Sequence, residues 1–154
     1  MIRGFQEVSE DFKVHKELET KLPYKGSKAS AGYDFYSKKE VVIYPEEKFR
    51  FYTDVKAYML DDEVLEIYPR SSIGIKKNLI LSNTVGIIDA DYYGNKDNDG
   101  NIIIEFKNIG AMPSKIEIGE RIAQGVFKKK LDADDGAYSG GGIVRNGGVG
   151  STGK

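Results

Sequence analysis

The chain has 154 residues and no cysteine, and its 23 basic and 24 acidic residues leave a formal net charge of −1. This length predicts a single domain that buries a core without disulfides, and the lack of cysteine excludes thiolate metal sites and cysteine nucleophiles. Because there is no basic field and no apolar run near the ~18 residues of a spanning helix, we expect a cytoplasmic protein without nucleic-acid or membrane partners.

The N-terminal half is patterned as short strands. Residues 2–8 form a candidate edge strand, and residues 40–44 form an apolar run that ends at Pro45. Residues 48–59 alternate between apolar and polar side chains, which predicts one half-buried strand of an antiparallel sheet. No segment carries a strong helical stripe longer than two turns, and residues 10–19 come nearest to one.

The C-terminal half continues the strand pattern. Further strands are predicted at residues 64–68, 102–108 and 122–128, with turn-prone segments at 94–100 and 110–114. Many short strands at short spacing predict an all-β sandwich or barrel of the jelly-roll kind. We find no internal repeat and no linker that would divide the domain.

A tail of distinct composition follows the compact body. The body is predicted to span residues 1–131, whereas residues 132–154 are acidic and then rich in glycine. Glycine loses the most backbone freedom on ordering, so we expect the tail to be flexible until a ligand fixes it. Arg145, Ser151 and Thr152 are suited to binding phosphate, although composition alone favours a disordered terminus.

Four short segments of the body contain the candidate catalytic and ligand-binding residues. Because cysteine is absent and the one histidine, His15, lies among charged residues, a metal site would need carboxylates or a phosphate-bearing ligand. Such a site favours a hard cation such as Mg²⁺. Each segment taken singly is also typical of a turn or a strand end. In chain order they are Ala-Gly-Tyr-Asp-Phe at 31–35, Pro-Arg-Ser-Ser-Ile-Gly at 69–74, Gly-Ile-Ile-Asp-Ala-Asp-Tyr-Tyr-Gly at 86–94 and Gly-Glu-Arg-Ile-Ala-Gln at 119–124.

Taken together and in this order, the four segments and the tail resemble the motifs of the homotrimeric dUTPase family. The resemblance covers the chain from about residue 23 to residue 154. It implies an all-β, dUTPase-like jelly-roll or β-clip subunit with a glycine-rich C-terminal arm. It also implies a homotrimer whose active sites are shared among chains, and hydrolysis of dUTP to dUMP and pyrophosphate by water attacking the α-phosphorus.

The resemblance implies a role for each matching residue. Asp89 corresponds to the general base that activates the water, and Tyr92 to the aromatic floor under the deoxyribose that excludes a 2′-hydroxyl. Asp34 is similar to the carboxylate that holds waters around a Mg²⁺ ion carried by the triphosphate. The other implied substrate-binding residues are Asn83, Gly86, Ile87 and Ile88 at the uracil, Arg70, Ser71, Ser72 and Gln124 at the phosphates, and Arg145, Val149, Ser151 and Thr152 in the closing tail.

Two features of the sequence depart from the family pattern. Val149 stands where the family places a phenylalanine that stacks on the uracil, and such stacking is worth ~1–3 kcal/mol per base. Tyr138 and Tyr93 are candidates to replace that ring. Residues 94–100 lengthen the connection after the Tyr-x-Gly segment, and we interpret them as a solvated hairpin tip.

Two other functions stay open at this stage. A dCTP deaminase, or a bifunctional dCTP deaminase and dUTPase of the same fold, would use Glu105 on its strand. A non-catalytic, nucleotide-binding regulatory homologue is suggested by Val149. The presence of Asp89, Arg70 and Arg145 favours the hydrolase, because a binding module needs no carboxylate that activates water.

Overall fold

The protein folds almost entirely into short strands. The structure, a computed structural model, describes residues 1–134 and 147–149. Within these residues one α-helix, α1, and two 3-10 turns interrupt eleven strands, so the all-β prediction is confirmed. None of the described helices is long and apolar enough to cross a membrane. The strands are β1 (Gly4–Glu7), β2 (Tyr33–Tyr36), β3 (Val41–Ile43), β4 (Lys48–Tyr52), β5 (Val55–Tyr58), β6 (Glu63–Pro69), β7 (Leu79–Leu81), β8 (Gly86–Asp89), β9 (Ile103–Asn108), β10 (Ser114–Ile116) and β11 (Arg121–Lys129); α1 spans Ser71–Lys77, and the 3-10 turns span Glu10–Phe12 and Ala90–Tyr92.

The described strands pair in four antiparallel sheets. The largest has the order β2-β11-β6-β8, and a three-stranded sheet has the order β4-β9-β7. Two hairpin-sized sheets, β1-β5 and β3-β10, complete the set. The order places β8 at an edge of the largest sheet, where only one side of its backbone pairs with another strand of that sheet.

The predicted strands at 64–68, 102–108 and 122–128 are confirmed as β6, β9 and β11. The segment at 2–8 contains β1, which pairs with β5, as predicted for an edge strand. Period-two alternation located these strands because each buries one face, as the alternating burial along β6 and β9 shows.

The prediction of one continuous strand over residues 48–59 was wrong. The segment forms β4 and β5, which pair with β9 and β1 respectively. The break falls at Asp54, whose φ of 56° is left-handed and cannot continue a strand. The side chains of Phe51, Val55 and Ala57 are buried, as the alternation indicates, but Asp54, which falls among the polar positions of the pattern, is fully buried as well.

Helix α1 was not predicted. It has seven residues and buries only Ile73, so it offers no apolar stripe that sequence periodicity could reveal. It ends at Asn78, which takes the left-handed conformation with φ 53° that terminates helices. The Arg-Ser-Ser segment therefore lies where β6 passes into a helix.

One hydrophobic core joins the sheets. Phe106, Leu65, Ile73, Leu79 and Ile122 are almost fully buried in it, and they come from β9, β6, α1, β7 and β11. Because side chains from these elements meet in a single cluster, the segments that carry the predicted site residues are fixed relative to one another.

Asp54 organises a buried polar cluster beside this core. Its carboxylate lies 3.0 Å from Lys38 Nζ and accepts hydrogen bonds from the backbone N–H groups of Val14 (2.9 Å) and His15 (3.0 Å). The side-chain amide of Asn101 also donates to it, at 3.0 Å. One carboxylate thus connects the N-terminal segment to Lys38, which follows β2, and to Asn101, which precedes β9.

We expect this carboxylate to make folding sensitive to acid. Desolvation acts to raise the pKa of Asp54, but the Val14 N–H and the Lys38 ammonium outweigh it, so the pKa lies below its ordinary value. Asp54 therefore contributes stability that is complete above the unfolded-state pKa of about 3.9 and is lost as the pH falls through the lower folded-state pKa. Urea unfolding between pH 5 and pH 2 should show the stability difference between the parent and Asp54→Asn shrinking with acid. The exposed Asp61→Asn should show no such pH-dependent difference, and a constant gap for Asp54→Asn would contradict the account.

Candidate active site

A pocket of about 220 Å³ brings together much of the predicted site. Its walls come from the loop that precedes β8, from β8 itself and from the 3-10 turn that follows it. Seven of the eight lining residues were predicted from the sequence, and Ile103 on β9 is the one that was missed. The lining residues are Asn83, Gly86, Ile87, Ile88, Asp89, Tyr92, Ile103 and Val149.

Strand β8 gives the pocket an exposed backbone edge. β8 pairs on one side with β6, from Gly86 opposite Ile67 to Asp89 opposite Val64. Gly86 needs to lack a side chain, since a Cβ there would lie 2.9 Å from the Cβ of Ile67. The other edge of β8 has no partner strand in its sheet, and backbone N–H and C=O groups on such an edge can pair with a planar polar ligand.

Tyr92 is fixed at the pocket by the loop that follows it. Its side chain is buried, its hydroxyl donates to the Asn101 carbonyl at 3.0 Å and accepts from the Asn98 side-chain amide at 2.7 Å. The ring therefore belongs to the core and also lines the pocket. Asn98 and Asn101 were not singled out from the sequence, because nothing in an Asn-rich loop indicates which tyrosine it will support.

A second cluster surrounds Asp34 on β2. The Asp34 carboxylate lies 3.4 Å from Arg70 Nε and 3.3 Å from Arg121 Nη1, so it is held between two guanidinium groups. Ser71 and Ser72 follow Arg70 at the start of α1, and both are exposed. The cluster is an electropositive surface with hydroxyls beside it, which suits a phosphate chain.

Gln124 belongs to the same cluster through strand pairing. It lies opposite Asp34 in the β11–β2 register and opposite Tyr68 in the β11–β6 register. Its side chain packs over Gly32, where an added Cβ would lie 2.7 Å from Gln124 Oε1 and 2.9 Å from Gln124 Cβ.

We expect Gly32→Ala to displace Gln124. Because the clash includes the Cβ of Gln124, the side chain cannot rotate away freely and the β2–β11 pairing must adjust, at a cost of about 1–3 kcal/mol in the free energy of unfolding. The NMR signals of the Gln124 side-chain amide and urea unfolding measure the two effects. Gly26→Ala is the matched control, since its Cβ meets nothing nearer than 3.9 Å. Unchanged Gln124 signals in Gly32→Ala would contradict this packing.

Asp89 and the phosphate-type cluster lie at opposite ends of β6, whereas Gly86, at the other end of β8, lies opposite Ile67. Asp89 is opposite Val64 near the start of the strand, and Arg70 follows the strand's last residue. Arg70 lies six positions after Val64, which amounts to ~20 Å along an extended strand. Within a single chain Asp89 is therefore separated from the Arg70 segment by most of the length of β6.

The tail contributes one described residue to the pocket. Val149 lines it, with most of its side chain exposed. The predicted phosphate-closing residues Arg145, Ser151 and Thr152 lie outside the described residues, as does Tyr138. Tyr93, the other candidate for a stacking ring, does not line the pocket and donates its hydroxyl to Gln6 at 2.5 Å.

Glu105 forms an ion pair with a residue on the neighbouring strand. It lies opposite Arg50 in the β4–β9 register, and their side chains form an ion pair at 3.0 Å. The Ser82 hydroxyl and then the Arg50 guanidinium hold the pKa of Glu105 below its ordinary value. Glu105 does not line the pocket, and a lowered pKa makes it a weaker base, which favours the role of an outward-facing strand residue.

Asp34 is the predicted metal-contacting residue within the part of the chain that the structure describes. No group of three histidine or carboxylate side chains there could hold an ion. Asp34 already faces two guanidinium groups, so it suits an outer contact through water better than direct ligation. This donor set fits Mg²⁺, which commonly keeps its waters and binds through substrate phosphates.

A second cavity of about 130 Å³ is lined by a different set of residues. It is walled largely by apolar groups, including Phe35 and Val55, and contains none of the predicted site residues. The chemistry therefore points to the pocket at β8.

Comparison with known proteins identifies the family. A family model described as dUTPase matches residues 19–152. A protein of Lactococcus lactis named deoxyuridine 5'-triphosphate nucleotidohydrolase is 42% identical over 152 residues, covering 99% of this chain and 98% of that protein. A protein of the same name from fowlpox virus is 37% identical over 109 residues, covering 71% and 70% of the two chains.

Solved structures agree with the sequence relatives. The crystal structure of dUTPase from Streptococcus mutans matches with a TM-score of 0.74 and 38% identity, over 85% of this chain and 98% of that chain. A Staphylococcus bacteriophage 80alpha dUTPase mutant, solved with dUpNHpp, matches with a TM-score of 0.69 and 25% identity, over 86% and 85%. The predicted dUTPase-like fold is confirmed, and the chain belongs to the dUTPase family.

Proposed function

We propose that this protein is a dUTP diphosphatase, which hydrolyses dUTP to dUMP and pyrophosphate. The observation that carries the proposal is the pocket in which an edge-strand backbone, a carboxylate and a buried tyrosine lie together. The names of the related proteins and the dUpNHpp complex of the bacteriophage relative support the same substrate. The reaction would lower the dUTP concentration and supply dUMP, and we place it in the cytoplasm.

Uracil is read by the backbone of β8. The outer edge of β8, in the segment Gly86–Ile88, would offer backbone N–H and C=O groups to the uracil edge, and Asn83 adds a side-chain amide. Cytosine has a donor where uracil has an acceptor, so it would leave a backbone N–H without a partner. Leaving a buried donor unsatisfied costs about 1–3 kcal/mol, which discriminates between the bases.

Deoxyribose is recognised by exclusion. The ring of Tyr92 lies under the sugar and contacts its C2′ face, leaving no space for a 2′-hydroxyl. The hydrogen bonds from Asn98 and to Asn101 keep the ring from moving aside for a ribonucleotide. UTP is therefore rejected sterically.

Asp89 orients the attacking water and accepts its proton. As the water oxygen bonds to the α-phosphorus, the bond from that phosphorus to the bridging oxygen breaks, and pyrophosphate leaves with the electron pair. A carboxylate is a weak base in water, so holding the water in line with the leaving group supplies much of the rate enhancement.

The phosphate-binding residues that the resemblance implies lie away from Asp89 within one chain. Because ~20 Å of β6 separates Asp89 from Arg70, we propose a homotrimer in which Arg70, Ser71, Ser72 and Gln124 of a second copy complete each site. When bound, Mg²⁺ would neutralise charge on the triphosphate, with Asp34 holding its waters.

The chain divides into a catalytic body, residues 1–131, and a closing tail, residues 132–154. Arg145, Ser151 and Thr152 would bind the γ-phosphate as the tail orders over the nucleotide, with Val149 against the base. Closure of this kind excludes water other than the nucleophile.

A product assay tests the proposed function. Purified protein with Mg²⁺ is given dUTP, dCTP, dTTP and UTP separately, and pyrophosphate and ammonia are both followed. We expect pyrophosphate from dUTP alone. Glu105→Gln should leave this turnover unchanged, because Glu105 pairs with Arg50 between β9 and β4 and does not line the pocket.

Other outcomes would identify the alternatives. Ammonia from dCTP, lost in Glu105→Gln, would show a deaminase or a bifunctional enzyme. Binding of dUTP without turnover of any nucleotide would show a regulatory homologue. Either result would overturn the proposal of a dUTP-selective diphosphatase.

A further inference from the structure

The loop of residues 94–100 is more than a solvated hairpin tip, because it contacts the C-terminal tail. The backbone N–H of Gly148 donates to Asp97 Oδ2 at 2.6 Å. Gly148 is buried at this contact, and an added Cβ would lie 3.5 Å from Asp97 Cβ and 3.9 Å from Asn95 Oδ1. The tail backbone therefore rests directly on the loop.

Hydrogen bonds within the loop hold Asp97 in place. The Asn95 side-chain oxygen accepts from the backbone N–H groups of Asp97 (3.0 Å) and Asn98 (3.2 Å). The Asn95 amide donates to the Tyr92 carbonyl at 2.8 Å. Gly100 closes the loop with φ 85°, and a Cβ there would lie 2.9 Å from the Tyr92 carbonyl oxygen.

The loop is also anchored to the body of the protein. Asp99 forms an ion pair with Lys56 at 2.7 Å and accepts from the backbone N–H of Ser9 at 2.7 Å. The loop that carries Asp97 is therefore held on the body of the protein. Asn98 of the same loop donates a hydrogen bond to the hydroxyl of Tyr92 in the pocket.

We propose that Asp97 is a positioning residue that holds Gly148 and thereby places Val149 at the mouth of the pocket. Val149 is the next residue along the chain and lines the pocket beside Asp89 and Tyr92. A hydrogen bond from a backbone N–H to a carboxylate is charge-assisted and directional, so it fixes which tail residue meets the pocket. The part of the proposal that concerns dUTP rests on the proposed function.

The test uses Asp97→Ala in the full-length protein, with two readouts. The first is hydrogen exchange of the Gly148 amide by NMR, which we expect to become about tenfold faster once its acceptor is removed. The second is steady-state kinetics with dUTP, where we expect KM to rise about 3- to 10-fold with kcat almost unchanged, because the tail aids binding rather than water activation.

Matched variants separate this role from a general effect on the loop. Lys96→Ala changes the neighbouring exposed residue and should leave both readouts as in the parent. Asp97→Asn keeps an acceptor oxygen without the charge and should give intermediate values. The thermal midpoint should be unchanged in all three variants, since a merely structural role would lower it.

Two results would overturn the proposal. Unchanged Gly148 exchange in Asp97→Ala would show that Asp97 does not hold the tail. Faster exchange with an unchanged KM would show that the contact does not position Val149 for binding. If the parent protein does not turn over dUTP, the proposed function fails, whereas Gly148 exchange still decides whether Asp97 holds the tail.

Discussion

Asp89→Asn is expected to lower kcat for dUTP by about 10²–10⁴-fold, the range that a positioned general base contributes. Asparagine keeps the shape of the side chain but cannot accept the proton of the attacking water. Asp89 lies at the end of β8, half-buried at the pocket wall, so the amide should be accommodated without unfolding. Steady-state kinetics on dUTP, together with a dissociation constant for dUpNHpp, separate the chemical step from binding.

Asp91→Asn is the matched control. Asp91 is a carboxylate two residues further on, exposed and outside the pocket, so the same chemical change there should leave kcat within about twofold of the parent. Equal losses in both variants would indicate a general charge effect. Full activity in Asp89→Asn would remove Asp89 from the mechanism.

Lys38→Met is expected to destabilise the fold by about 3–5 kcal/mol, as found when one partner of a buried ion pair is removed. Lys38 and Asp54 have side chains only 7% and 0% exposed, and their charges lie 3.0 Å apart. Lys38 also donates to the Leu18 carbonyl at 3.1 Å and to the Thr20 hydroxyl at 2.9 Å. Methionine keeps the volume but leaves Asp54 buried without its counter-charge, and urea unfolding at pH 7 measures the loss.

The exposed neighbour provides the control for this prediction. Lys39→Met removes the same charge from a solvent-exposed position and should change stability by less than about 0.5 kcal/mol. The destabilisation in Lys38→Met should also shrink below pH 4, because protonated Asp54 needs no counter-charge. Equal stability of Lys38→Met and the parent at pH 7 would contradict the role assigned to the pair.

Strands that bury one face could be predicted from the sequence, whereas features set by single residues could not. Alternation located β6, β9 and β11 because it records burial directly. Alternation did not reveal the break at Asp54, where the backbone is left-handed and the carboxylate is buried. Asp54 occupies a polar position of the alternating pattern, so the sequence did not distinguish it from an exposed strand residue. The three-residue strands β7 and β10 are too short to show a period.

The candidate site was predicted as a set of residues but not as an arrangement. The segment from Asn83 to Tyr92 is nearly continuous in sequence, so its members meet around β8 with little dependence on the rest of the fold. Sequence order could not show that β6 separates Asp89 from Arg70, since that distance depends on strand pairing. Nor could it show that Asp97 reaches Gly148, a contact between residues 51 positions apart.

The position of the oxygen taken from water distinguishes attack at the α-phosphorus of dUTP from attack elsewhere on the triphosphate. Hydrolysis of dUTP in water enriched in oxygen-18, with the products separated and analysed by mass spectrometry, shows which phosphorus is attacked. We expect one labelled oxygen in dUMP and none in pyrophosphate, because the proposed water at Asp89 attacks the α-phosphorus. Label in pyrophosphate, or no release of dUMP at all, would contradict this expectation.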